Sequence, residues 1–358
     1  IAIGHDAMSH TDPQADRAIA IGSGSLGGNL TSAADGVVAI GYTALAALTS
    51  GTGNVAVGYQ AGNLITTATN NTYVGYGAGD ATHVDASSTT AIGSGAFGGT
   101  HTGTVCHYNV AVGNNALAGA MNGVDGAVAV GTSALQALTT GVGNASLGYQ
   151  SSMALTSGDA NTAIGYKALT SLVDGHRNTC LGYQAMYDTD AGTTADGSED
   201  NIFIGVNAGA GAWANAESNK NVSIGNYTMD AVLSGALENV AIGYSALGAL
   251  TTGDSNVAIG KSCAEGLLGG AANVVIGYTA GSHNVGMTSA SENVIIGAYA
   301  DTSAVNSSNQ IALGYDCSCT GNSTVTIGIS GNTASLGLDG SDTSWAAASS
   351  DERYKENI

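Results

Sequence analysis

Asn54-Val55-Ala56-Val57-Gly58-Tyr59 is the phrase on which the fold turns. Val55 and Val57 stand two apart and share one face of an extended strand, while Ala56 faces the other way. A strand this short has no stability alone. It becomes a stable element when a copy lies beside it, about 4.8 Å away, and completes its backbone hydrogen bonds. The chain supplies the copies: the aliphatic-glycine pair recurs about nineteen times, from Gly4 through Gly41, Gly58, Gly75 and Gly93 to Gly314 and Gly328. Most steps are 17 or 18 residues, and the longer ones carry inserts, the longest being the 23 residues between Gly182 and Gly205. Self-similarity at a fixed period, with insertions confined to one phase, is the mark of stacked coils. The expected fold class is therefore all-β, a parallel β-roll or β-solenoid of about nineteen 17–18-residue coils.

Around that core phrase the rest of each repeat falls into columns. An asparagine four residues before the glycine recurs, as at Asn54, Asn71, Asn144, Asn161, Asn239 and Asn256, and stacked copies would form an amide ladder at a turn. A tyrosine often follows the glycine, as at Tyr42, Tyr59, Tyr76, Tyr149 and Tyr166. Such a column could be a glycan-binding stripe, but its regular phase reads more simply as a packing ladder with the hydroxyls at the surface. In the second half, Ala44-Leu45-Ala46-Ala47-Leu48 suits one helical turn as well as a bent second strand, and periodicity does not decide between them. Thr-Thr-Gly or Thr-Ser-Gly closes many coils, glycine supplying the turn angles.

Composition agrees and narrows the function. With 55 glycines, one proline, 5% aromatic and 9% charged residues, the chain cannot build a core of large side chains, so backbones must pack close together. Glycine lacks the period of three of collagen, and the aliphatic content is too high for a disordered linker. No apolar run approaches the ~18 residues of a membrane span. Seven basic against 27 acidic residues leave a net charge of −20, which excludes nucleic acid as an expected partner. The five cysteines do not recur with the repeat and are odd in number, so they read as buried small hydrophobes rather than a disulfide framework. No cofactor is expected. Asp188, Asp190 and Asp196 lie in the acidic insert and form a weak calcium candidate, whose glycine, Gly192, falls one position early for an EF-hand loop; a solvated insert is the simpler reading. His101 and His107 flank Cys106 without a fourth ligand and read as surface residues. The chain opens at Ile1 inside a repeat, as a piece of a longer protein would.

The Asn-x-Ala-Ile-Gly phrase resembles the head repeats of trimeric autotransporter adhesins, and the Gly-Tyr-x-Ala-Leu version resembles repeats of phage and other viral fibres. That resemblance spans residues 1–328 and implies a left-handed β-roll with three identical chains side by side. Residues 329–349 read as the end of the shaft and a linker. The tail Ser350-Asp351-Glu352-Arg353-Tyr354-Lys355-Glu356-Asn357-Ile358 is similar to the opening of the intramolecular chaperone of the S74 peptidase family, which sits at the ends of phage tailspikes and tail fibres. The resemblance implies that this chaperone trimerises the shaft and then releases itself, with Ser350 as nucleophile and Lys355 as base; a serine needs such a base, and a lysine serves when burial lowers its pKa. Residues 350–358 hold only the start of that domain, so this chain itself is not expected to be an enzyme.

The expected function is that of a structural fibre of a virion, a phage tail or capsid fibre, which projects or presents host-recognition elements. Its expected partners are two further copies, other virion or fibre proteins, and a host-surface glycan or protein receptor, with no membrane insertion. Its place is the extracellular virion, after assembly in the host cytoplasm. A passenger fragment of a trimeric adhesin is the first alternative, and an ice-binding solenoid, suggested by the stacked threonines, is the second.

Overall fold

The computed structural model describes the chain except residues 10–16, 32–33, 81–84, 102, 190–196, 215, 339–345 and 348–358. It has two units, residues 1–178 and 179–358, each of which is built by the same rule. Among the described residues all regular structure is β.

In the first unit, β1 (Ala2–Ile3), β2 (Ile19–Ile21), β3 (Val38–Ile40), β4 (Val55–Val57) and β5 (Thr72–Val74) are followed by β6 (Thr90–Ile92), β7 (Val110–Val112), β8 (Val128–Val130), β9 (Ala145–Leu147) and β10 (Thr162–Ile164). Each strand pairs in parallel with the next, and the repeat sets the register: Val38 faces Val55, which faces Thr72. Val55 N–H donates to the Asn71 carbonyl while Gly58 N–H donates to the Ile40 carbonyl, so each short strand is bonded to the coils on both sides. The stacked-coil expectation is met.

The second unit runs β11 (Thr179–Leu181), β12 (Ile202–Ile204), β13 (Val222–Ile224), β14 (Val240–Ile242), β15 (Val257–Ile259), β16 (Val274–Ile276), β17 (Val294–Ile296), β18 (Gln310–Leu313) and β19 (Thr324–Ile329), again parallel and in register. The 23-residue step leaves the pairing intact, with Thr179 opposite Ile202. The pattern then changes. β20 (Asn332–Gly337) turns back antiparallel on β19 through Ser330 and Gly331, both with positive φ, and β21 (Ala346–Ala347) pairs antiparallel with β20. Two residues of positive φ suit the right-handed twist of a tight hairpin.

The core of each coil is thin. The middle residue of the strand points inward, and Ala39, Ala56, Ala111 and Ala258 are fully buried there. It meets two residues of the second half, such as Leu45 and Leu48 or Leu247 and Leu250, which are also fully buried. That second half is neither a helical turn nor a second strand. Thr43 and Leu45 both hold φ of 49°, and the same two phases recur left-handed at Ser133 and Leu135 and at Ser245 and Leu247. The carbonyls and amides released by this shape are bonded between coils: Thr43 N–H donates to the Ser23 carbonyl at 3.0 Å, and Leu45 N–H to the Ala61 carbonyl at 3.0 Å. A left-handed conformation costs an ordinary residue roughly 1–2 kcal/mol, which ladder bonding on both sides and burial of leucine offset.

Candidate interaction face

Once alanine and leucine fill the inside, the aliphatic flanks of the strands are left outside. Val55 and Val57 are half-buried, Leu147 is 49% exposed and Ile296 is 38% exposed. Within each unit the parallel register lines these side chains up into columns, coil after coil. The strand alternation thus places the larger aliphatic residues on the outer face and the smaller alanine within.

The tyrosine column lies alongside in sequence, two residues beyond the outer aliphatic position. In the first unit Tyr42, Tyr59 and Tyr76 stack with ring centroids 5.1 Å apart and planes within 17° and 4° of parallel. Tyr149 and Tyr166 repeat the arrangement at 5.3 Å. In the second unit Tyr299, one residue past the tyrosine phase of its coil, stands half-buried between two rings of that phase and meets both edge to face, Tyr278 at 5.2 Å and Tyr315 at 5.6 Å. Lys261 occupies the tyrosine phase of its own coil, and its ammonium sits 5.8 Å from the ring centroids of both Tyr244 and Tyr278. The rings remain exposed, Tyr76 by 62%. This is the packing ladder read from the sequence, and in the stacked runs the ring faces are turned to one another rather than outward.

Two further columns pin the coils from within. Asn54 Oδ1 accepts the backbone N–H and the side-chain amide of Asn71, each at 3.1 Å, and Asn144, Asn161 and Asn178 repeat the contact. In the second unit it runs unbroken from Asn201 through Asn221, Asn239, Asn256, Asn273 and Asn293 to the backbone of Gln310. These amides are buried, and side chains of the ladder also donate to carbonyls, as Asn54 Nδ2 does to Ala68 at 2.7 Å and Asn256 Nδ2 to Gly270 at 2.8 Å. The closing threonines are similarly committed: Thr49, Thr139 and Thr251 hydroxyls donate to the carbonyls of Thr66, Thr156 and Leu268.

The sequence-derived site residues fall as follows. Ser350 and Lys355 lie outside the described residues, as do Asp190 and Asp196. Asp188 is half-buried and its carbonyl accepts the Trp213 N–H at 2.9 Å. Among the described residues no group of three or more His, Cys, Asp or Glu side chains could hold a metal ion. All five cysteines are free and buried, as read from the sequence. Cys106 stays in the core while His107 lies half-buried beside Tyr108, and His101 is half-buried against the Phe97 ring at 5.0 Å. Burial pushes the thiols up, Cys319 to about 11 and Cys263 to about 12.

Sequence reasoning missed one buried acid, Asp301. Its Oδ2 accepts the backbone N–H groups of Asn284, Val285 and Gly286 at 2.8, 2.9 and 3.2 Å, and its Oδ1 accepts that of Thr302. Three successive amides converge on one oxygen, so the carboxylate organises the preceding coil's loop. No repeat signal marks it, because the contact is peculiar to that coil. Among the described residues no helix is long and apolar enough to cross a membrane. Neither a known family model nor a curated protein matches the chain.

Proposed function

We propose that this chain is the shaft of a homotrimeric virion fibre, a left-handed β-roll that projects or presents host-recognition elements and is matured by a self-cleaving trimerisation chaperone. The observation that carries the reading is the pair of outward aliphatic columns: a monomer that spends its small residues on its own core and leaves valine, isoleucine and leucine outside presents an apolar strip suited to further copies of itself. The repeat phrase and the tail from Ser350 supply the viral assignment by resemblance. In this reading Ser350 and Lys355 act only in the complete precursor, and the shaft itself is no enzyme.

The test is the subunit mass of the product expressed to its natural C-terminus, beside a Ser350→Ala version, with the assembly mass of each by light scattering. Loss of a C-terminal piece by the first and its retention by the second, with three subunits per assembly, is expected. Two intact products would remove the chaperone from the account and favour the adhesin reading, while monomers would remove the trimeric shaft itself. The ice-binding alternative is weakened by the threonine hydroxyls, whose protons are committed to carbonyls of the next coil. Absence of thermal hysteresis would dispose of it.

A further inference from the structure

The sixth residue before the stripe glycine forms another column. In the first unit Thr69 N–H donates to Ser87 Oγ at 3.0 Å, Ser87 N–H to His107 Nδ1 at 3.3 Å, and His107 N–H to Asp125 Oδ1 at 2.6 Å. The same step takes Val142 N–H to Asp159 Oδ1 at 2.8 Å and Asp159 N–H to His176 Nδ1 at 3.0 Å. In the second unit the acceptors are Asn219 for Glu199, Asp254 for Leu237 and Ser291 for Ala271. The column asks for a side-chain acceptor in each of these coils, and serine, asparagine and aspartate meet the demand whatever the pH near neutrality.

Histidine meets it only while neutral. An imidazole ring accepts at Nδ1 through a lone pair, and protonation turns that atom into a donor. A rung would then hold two donors face to face.

We propose that His107 and His176 are acid-sensitive latches of the first unit: protonation releases the amides of Ser87 and Asp159 and turns each imidazolium toward a neighbouring carboxylate. The carboxylates are at hand. Asp159 Oδ2 lies 3.7 Å from His176 Nδ1, so in acid the side chain of Asp159 replaces its own amide as the partner. Asp174, two residues before His176, accepts the Thr156 and Ser157 hydroxyls, and Arg177 follows it as the cation of that loop. Around His107 stand Asp125, whose carboxylate holds the His107 amide, and the Tyr108 ring at 5.8 Å; Asp85, two residues before Ser87 in the preceding coil, adds a further acid to that loop. With acids on this surface the cation is accommodated rather than expelled, so the change is a local exchange of partners and not unfolding. The Asn219 and Ser291 rungs of the second unit have no such response.

Amide hydrogen exchange resolved to single residues on the full chain, with rates corrected for the intrinsic effect of pH, tests this. Between about pH 8 and about pH 5, where imidazoles change charge, protection of the Ser87 and Asp159 amides should fall about tenfold, the value of one hydrogen bond. Protection of the Glu199 and Ala271 amides should hold. His107→Asn and His176→Asn variants, carrying the residue that fills this column at Asn219, should keep their rung protected at both pH values. Unchanged protection of Ser87 and Asp159 in the unaltered chain would overturn the proposal. So would an equal loss at Glu199 and Ala271, which would mean general loosening in acid.

Discussion

Within a coil, the inward strand residue and the inward residue six positions later share one space, and they trade volume. Tyr73 stands where most coils have alanine, and Gly79 stands at a phase that holds a leucine at Leu45, Leu117, Leu135 and Leu247; a Cβ at Gly79 would lie 2.7 Å from the Tyr73 ring. Phe203 is matched by Gly209 in the same way, and Ser146 meets Ser152 in a 2.7 Å hydroxyl pair. Tyr73→Ala should therefore cost about 3–5 kcal/mol by the cavity it leaves, and adding Gly79→Leu should restore a good part of it, because leucine already holds a left-handed φ at this phase, as at Leu45. The midpoint of denaturant unfolding for the two single variants and the double would measure it; strict additivity would refute the shared-space account. Stripe glycines are fixed by a different cause. A Cβ at Gly58 would lie 2.1 Å from the Gly75 carbonyl oxygen at a φ of 146°, whereas Gly126, at a φ of 66°, has open space around it. Gly58→Ala should fail to give a folded first unit, while Gly126→Ala should cost about 1 kcal/mol; comparable melting temperatures for both would contradict the close approach. The thiols provide a third check. Because burial holds them in the neutral, unreactive form, alkylation at about pH 8 should leave all five cysteines unmodified until denaturant is added.

Coils are interchangeable elements as long as register survives. The step from Asn239 to Asn256 is 17 residues, and each asparagine bonds only its sequence neighbours in the ladder. Excision of residues 239–255 would bring Asn256 onto Asn221 and β15 onto β13, with every column in phase. Such a chain should fold with nearly unchanged strand content, whereas excision of about half a coil should not, since the columns would no longer meet. Circular dichroism and melting of both deletions would show it. Asn256→Ala tests the ladder itself. It leaves the Gly270 carbonyl and the Asn273 amide without their buried partner, at a cost on the order of 3 kcal/mol. A loss under about 0.5 kcal/mol would mean that the amide column only follows the fold.

At the scale of the whole molecule the open feature is the outward apolar face. Ile259 and Ile296 are 37% and 38% exposed in two well-spaced coils of the second unit. Replacing both by aspartate should leave the coil fold intact, because neither enters the core, yet bring the assembly of the proposed trimer down to the mass of one subunit. A trimer that survives the double change would place the contact between copies elsewhere.

The repeat made the parallel coils, their register and the amide ladder legible, because a strand bonded to its own copy needs only periodicity to align it. Tyr73 with Gly79 and Asp301 with its loop were not legible, since each is a departure from the repeat that a second departure in space makes good. The second half of the coil was undecidable from Ala44-Leu45-Ala46-Ala47-Leu48 for a related reason. Left-handed leucine is unfavourable locally, and it is held by its burial in the stack and by hydrogen bonds of its turn to residues 16 to 20 positions away in the coils on either side. Spacing of residues thus determined which segments stack, while side-chain volume and long-range backbone bonding, acting in three dimensions, decided the shape of each turn and which face of the strand was left outside.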